Sequence, residues 1–340
     1  MITSGIFFKN FKIQKKSLKI KKKLEKFIAE NNSIAQSLKR NYQDFFKKKE
    51  LKKYKSFKNI RVIGMGGSSL GTEAIYDFLK YKIKKNFLFI NNLSTRLKKE
   101  NDEKILNLIV SKSGNTIETI VNSNILVKKK DKNIFITENK KNYLYLLGQK
   151  LKAEIIHHNN YIGGRYSVLS EVGMLPAELM GLDSKKFRQF NNLIENKRYL
   201  NALISNVSST LYFIKKKKFN SVIINYDEQS ENLFNWYQQL VAESLGKKNK
   251  GLLPIISTMP KDNHSVMQLY LDGFKNNFFT FFYVNEKNST KIINKDILSP
   301  YNFIKNKSIN RNAFEKKKTN KNKIKKKKIP FRSFEIKKRD

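Results

Sequence analysis

Ile60-Arg61-Val62-Ile63-Gly64-Met65-Gly66-Gly67-Ser68-Ser69-Leu70-Gly71-Thr72-Glu73 is a short apolar run that breaks into glycines and hydroxyls and then takes up helical spacing. A strand, a tight turn and a helix in that order are the opening of a crossover unit. Glycines in such a turn let backbone approach a ligand, and the helix behind it offers free N–H groups with a positive dipole end. Two nucleotide readings fail on spacing. A dinucleotide fingerprint needs Gly where Ser69 stands, and the next apolar run ends in Asn91-Asn92 instead of an acidic ribose anchor. Gly66 and Gly71 have the P-loop interval, but Thr72-Glu73 follows where Lys-Ser/Thr is required. A tight turn that holds no ligand also fits this junction.

A second junction repeats the pattern. The run 105–110 leads into Ser111-Lys112-Ser113-Gly114-Asn115-Thr116-Ile117-Glu118-Thr119. Hydroxyls and a lysine crowded at a helix start suit a phosphate monoester, with N–H and O–H donors orienting its oxygens and the lysine supplying charge. The competing reading is structural: Asn115 and Glu118 fit an N-cap and capping-box pair. Capping needs only one or two such residues, which favours the phosphate.

Outward from these junctions, further apolar runs at 87–90, 134–136 and 155–156 alternate with helical stretches, so 56–195 reads as a parallel sheet with crossover helices. A second cycle begins near 200, with a helix to 214, a strand at 221–225, a helix at 232–245, a run at 252–257, a helix ending at Gly273 and a strand at 278–284. Residues 1–55 read as a polar helical arm on the loose spacing of Leu18, Leu24, Phe27, Ile28 and Leu38. Beyond 285 the sequence is polar and Lys-rich with no clear closing element. The expected organisation is an arm at 1–55, a first α/β domain at 56–195 and a second at 196–340.

Composition bounds the chemistry. The 340 residues contain no cysteine, which excludes disulfides, thiolate metal sites and cysteine nucleophiles, and three histidines make a His-based metal site a poor candidate. No N-terminal apolar segment resembles a signal, and the longest apolar run, 278–284, is too short to span a bilayer. A cytoplasmic protein without metal or cofactor is the expectation. The 70 Lys+Arg against 28 Asp+Glu give a net charge of +42, which raises a nucleic-acid hypothesis. The lysines are spread through the whole chain and accompany abundant Asn, Ile and Phe, a pattern of AT-rich coding, so nucleic acid is disfavoured as a partner. The charge steers anions without specifying one.

Together, the two junctions resemble those of the glucose-6-phosphate isomerase family, whose sugar-isomerase domains carry a Gly-Ile-Gly-Gly-Ser type turn and a Ser-Lys-Ser/Thr phosphate loop. Gly163-Gly164-Arg165-Tyr166-Ser167-Val168-Leu169-Ser170, Ala242-Glu243-Ser244-Leu245-Gly246-Lys247 and Asp262-Asn263-His264-Ser265 match further family motifs in the same order. The resemblance implies two doubly wound parallel-sheet sugar-isomerase domains and the interconversion of glucose 6-phosphate and fructose 6-phosphate. It implies that Gly67, Ser68, Ser111, Lys112, Ser113, Thr116 and Gly164 line the substrate and its phosphate. Isomerisation through an enediolate needs a base near both carbons and positive charge beside the oxyanion. The resemblance makes Glu243 the base and Arg165 the enediolate partner. His264 becomes the group that assists ring opening, donated across a homodimer interface.

On helical geometry alone, Glu243 is an ordinary surface residue. Taking Leu233 as zero it falls at about 280°, at the rim of an apolar arc from about 300° to 100°, one turn before a Gly246 C-cap. His264 is expected near the start of the helix ending at Gly273, where the dipole favours neutral imidazole. His157 and His158 match no motif.

The family's C-terminal Asn-Pro-Phe-Asp-Gln stretch, and the lysine-bearing helix after it, have no counterpart here. The expectation is a truncated chain or a shortened homologue, with its second domain incomplete. A dual phosphoglucose/phosphomannose isomerase remains an alternative within the enzyme class. Outside it stands a non-catalytic sugar-phosphate-binding module, with nucleic acid as a further contact.

Overall fold

The computed structural model describes residues 5–13, 17–30, 32–94, 104–286, 288–294 and 296–339. The strands are β1 (Ile6–Lys9), β2 (Asn59–Ile63), β3 (Asn86–Ile90), β4 (Ile105–Val110), β5 (Lys132–Thr137), β6 (Glu154–His157), β7 (Asn220–Asn225), β8 (Leu253–Thr258), β9 (Asn277–Val284) and β10 (Phe331–Ile336). The helices are α1 (Leu18–Ala29), α2 (Leu70–Phe78), α3 (Ile117–Leu126), α4 (Tyr143–Lys150), α5 (Glu171–Leu179), α6 (Phe190–Glu195), α7 (Lys197–Lys215), α8 (Glu231–Leu245), α9 (Met267–Asp272) and α10 (Ile309–Lys326). Among the described residues no helix is long and apolar enough to cross a membrane. Contacts divide the chain into two units, one of Phe27–Glu195 with Asn235–Leu240, the other of Met1–Lys26, Asn196–Phe234 and Val241–Asp340.

In the 27–195 unit the sheet order is β3-β2-β4-β5-β6, and every described pairing is parallel. Side chains alternate across it. Ile60, Val62, Leu106, Leu108, Val110, Ile134 and Ile136 pack on one face against Ile75 and Tyr76 of α2 and Val172 and Leu175 of α5. Ile63, Ile109 and Phe135 pack on the other with Leu126 of α3 and Leu144 of α4. Helices on both faces make the sheet doubly wound. A polar ladder crosses three strands in register: Arg61 donates to Asn107 Oδ1 at 3.2 Å, and Asn107 donates to Asn133 Oδ1 at 2.8 Å. The charge inside the β2 run is therefore buried with partners, as a buried cation must be.

In the other unit the order is β1-β10-β9-β7-β8, with β7, β8, β9 and β10 parallel and β1 antiparallel on the β10 edge. Apart from β1, this sheet follows the winding of the first, with its opening strand flanked by the second and third. One face packs Val222, Ile224, Phe279 and Phe281 with Met267 and Tyr270 of α9 and Ile324 of α10. The other carries Phe11, Phe213 of α7 and Phe278.

Two expectations need correction. Residues 1–55 are not one helical arm. Ile6–Lys9 is a strand, and Phe46, Leu51 and Tyr54 are core residues of the 27–195 unit, because their apolar rings and side chains are buried beside α5 and the sheet. The segment beyond 285 is also not without a closing element. Its polar run forms α10, whose inward face carries Lys317, Asn320 and Ile324. Two of those three are polar, so no hydrophobic period reveals the helix. Lys317 is satisfied by Glu335 at 3.0 Å and lies 4.0 Å from the Tyr283 ring centroid, while Asn320 donates to Tyr226 at 2.7 Å.

Candidate functional site

In a sheet wound 2-1-3-4-5, the crevice for a ligand lies beyond the carboxyl ends of the two strands where the winding reverses. Here those strands are β2 and β4, and the two glycine- and hydroxyl-bearing junctions leave from their ends. Topology alone thus brings together turns separated by more than forty residues of sequence.

After β2 the chain makes a single 3-10 turn, Gly66–Ser68, before α2. Gly66 adopts φ +53°, a left-handed value that favours glycine. At Gly67 the constraint is space, since a Cβ there would stand 2.2 Å from the carbonyl carbon of Gly164. Ser167 closes this contact by donating to the Gly67 carbonyl at 3.2 Å. Gly67 and Gly164 accordingly join two turns, and the backbone at Arg165 is fixed with them. Arg165 is half-buried, its guanidinium carbon 4.5 Å from the Tyr166 ring centroid, and its carbonyl accepts from Trp236 Nε1 at 3.3 Å.

After β4 the loop is braced from below. Ser111 N–H continues the sheet to the Ile136 carbonyl at 3.1 Å, and the Lys112 carbonyl accepts from Glu138 N–H at 3.0 Å and from the Thr137 hydroxyl at 3.3 Å. Gly114 has φ +66° and lies against Asn142. The capping reading of this loop fails. Thr116, not Asn115, is the N-cap of α3, and it makes no side-chain cap bond. Asn115 instead accepts from the Tyr143 N–H at 3.0 Å, at the start of α4. The first-turn N–H groups of α3 are thereby left without a side-chain cap, the condition in which a helix start receives an anion.

Ser68, Ser111, Lys112, Ser113, Thr116 and Glu138 line one cavity of about 270 Å³. Ser111 and Thr116 share a hydroxyl hydrogen bond of 2.9 Å, and Lys112 Nζ donates to the Asn160 carbonyl at 2.7 Å. Five of the six lining residues are those the sequence singles out. Glu138 is the addition. It sits directly after the end of β5, next to β4 in the sheet, and that position was its only sequence signal. Its Oε1 is 3.6 Å from Lys112 Nζ and its Oε2 3.2 Å from Lys140 Nζ. Gly67 and Gly164 are not among the lining residues; they position the turns.

Beyond β6, His157 accepts from the Asn139 N–H at 3.1 Å, and His158 is fully buried with Nδ1 3.1 Å from the Asn159 carbonyl. Burial lowers the His158 imidazole to about 4 and lowers His157 as well. Both are neutral packing groups at neutral pH.

Glu243 and His264 belong to the other unit. Glu243 lies in the last turn of α8, exposed, ahead of the Gly246 C-cap, whose N–H bonds the Ala242 carbonyl at 2.8 Å. His264 is not in a helix. It ends the 3-10 turn Lys261–Asn263, and α9 starts only at Met267. Asp262 causes the delay, because its carboxylate accepts from the Thr258 N–H at 2.9 Å and the Ser265 hydroxyl at 3.3 Å and so holds a turn there. The expected helix-dipole effect on His264 is withdrawn with that helix.

The family model for phosphoglucose isomerase matches residues 13–335. The chain is 38% identical over 270 residues to the glucose-6-phosphate isomerase of Methanocaldococcus jannaschii, an alignment covering 71% of this chain and 64% of that protein. It therefore spans less than two thirds of that relative's length. Among solved structures, a hypothetical protein from Thermus thermophilus superposes with a TM-score of 0.78 at 19% identity, over 93% of this chain and 82% of that one. A glucose-6-phosphate isomerase from Chlamydia trachomatis superposes with a TM-score of 0.67 at 17% identity, over 90% of this chain and 69% of that one.

Proposed function

The chain belongs to the phosphoglucose isomerase family, and from that premise we propose that it interconverts glucose 6-phosphate and fructose 6-phosphate. The observation that carries the proposal is the convergence of Ser68, Ser111, Lys112, Ser113 and Thr116 on one cavity at the switch point of the first sheet. Four hydroxyls, one ammonium and an uncapped helix start provide what a phosphate monoester needs: several directed donors and one compensating charge.

With the phosphate anchored there, the proposed chemistry is a proton transfer. Glu243 removes the proton from C2 of the open-chain aldose, and the electron pair moves into a C1–C2 double bond to form the enediolate. Return of the proton to C1, with the O2 hydroxyl proton passing to O1 as C2 becomes the carbonyl, gives the ketose, so no atom is gained or lost overall. Arg165, always charged, stabilises the oxyanion formed on the way. Support for Glu243 comes from the motif in which it stands, Ala242-Glu243-Ser244-Leu245-Gly246-Lys247, inside the span that the family model matches. His264 is proposed to assist ring opening from a second subunit of a homodimer, in a cytoplasmic enzyme of glycolysis and gluconeogenesis.

The test is to incubate the purified protein with glucose 6-phosphate in deuterium oxide. Fructose 6-phosphate formation with solvent deuterium appearing at the transferred position supports the enediolate route. Sugar-phosphate binding with neither turnover nor exchange identifies a non-catalytic binding module instead.

A further inference from the structure

We propose that Glu138 makes the pocket selective for an anion that itself carries a proton, a phosphate monoanion, over anions that carry none. The inference rests on the reading of this cavity as the phosphate site. Every other lining side chain can donate a hydrogen bond, through the hydroxyls of Ser68, Ser111, Ser113 and Thr116 or the ammonium of Lys112. Glu138 is the exception, since a carboxylate only accepts.

Its placement is built. The side chain is 13% exposed and tied on both sides, to Lys112 at 3.6 Å and Lys140 at 3.2 Å, while its N–H holds the Lys112 carbonyl. The same lysine that compensates the ligand's charge is thus already engaged with an internal carboxylate. An entering anion meets this carboxylate in the lining of the pocket, and like charges disfavour each other there. A phosphate oxygen bearing a proton turns the repulsion into a charge-assisted hydrogen bond with Glu138 as acceptor. A phosphate group keeps such a proton up to its second ionisation, near pH 6 for esters. Sulfate has none to offer near neutral pH.

The experiment measures binding of inorganic phosphate and inorganic sulfate by calorimetry at equal ionic strength, near pH 6.5, to the unmodified protein, Glu138→Gln, Glu138→Asp and Lys112→Gln. The unmodified protein is expected to bind phosphate about tenfold or more tighter than sulfate, a preference of about 1.4 kcal/mol. Glu138→Gln should bring the two anions within about threefold, chiefly by gaining sulfate affinity, and Glu138→Asp should keep the preference. The inference is overturned if the ratio is unchanged in Glu138→Gln, or if both anions weaken together, which is the outcome for a residue that merely orients Lys112. Binding of both anions equally by the unmodified protein, with loss in Lys112→Gln, overturns the role of Glu138 and leaves the phosphate pocket standing. Binding of neither overturns the pocket itself. Thermal unfolding of each variant separates these results from misfolding.

Discussion

Gly67 and Gly164 pass so close that the carbonyl carbon of Gly164 lies 2.2 Å from where a methyl group on Gly67 would be. The relation is one-sided, because a Cβ on Gly164 would meet only the Gly67 Cα, at 4.0 Å. Gly67→Ala is expected to lower stability by about 1–3 kcal/mol through overpacking against backbone, whereas Gly164→Ala should be tolerated. Thermal unfolding of the two variants decides it; equal midpoints would show that the turns are not held by this contact. Phosphate binding should weaken in the first variant alone.

Lys112→Gln removes the cation among the residues that line the cavity. The loss of a charge-assisted bond, about 1.5–3 kcal/mol, should weaken sugar-phosphate binding by roughly 10- to 100-fold. The remaining affinity should depend less on salt. Titrations at two ionic strengths test both statements.

Glu243→Gln keeps the shape of the side chain and removes the proposed base. Turnover is expected to fall by about 10²- to 10⁴-fold, with the dissociation constant of a non-reacting sugar phosphate nearly unchanged. Comparable turnover would take Glu243 out of the mechanism. A matched loss in binding would make it a ligand contact.

His158 couples stability to pH. Burial holds its folded-state value at about 4, below the ordinary 6.5, so the unfolded chain binds the extra proton first. The folded state keeps the full benefit above about pH 6.5 and loses it as pH falls from there towards 4. That loss amounts to about 3 kcal/mol at most. Lys112, Glu138 and His157 are the charged or titrating neighbours that share in this effect. Denaturant unfolding between pH 7 and pH 4 should show the slope, and His158→Asn should flatten it. An unchanged slope would assign the acid sensitivity to other groups.

The doubly wound sheets were legible because β2, β4, β5, β7 and β9 are built mainly of Ile, Leu, Val and Phe on both faces, as strands covered on both sides tend to be, with isolated polar residues such as Arg61, Asn107 and Asn133 pairing with one another inside. The loop after β4 was legible as a candidate site for a related reason: Ser111, Lys112, Ser113 and Thr116 are more polar groups than a cap needs, and they line one cavity. Two features were not legible. α10 hides its inward face in Lys317 and Asn320, whose burial depends on Glu335, Tyr283 and Tyr226, partners distant in sequence. Glu138 looks like any charged residue after a strand, and only the β4–β5 pairing brings it to Lys112. In both cases the information lies in the sheet order, which no local window contains.

The pairing of β1 with β10 joins Ile6 to Ile336 and Lys9 to Ser333. During synthesis the first of these strands leaves the ribosome long before its partner exists, while the residues of the 27–195 unit are complete well ahead of it. Assembly of this edge is therefore a late event that waits until β10 has itself emerged. Until then β1 is an unmatched ribbon that the nascent protein must carry without sticking to its neighbours. Its opening Ile6-Phe7-Phe8 is followed by Lys9, and a lysine at such a place is the kind of charge that keeps an idle strand soluble.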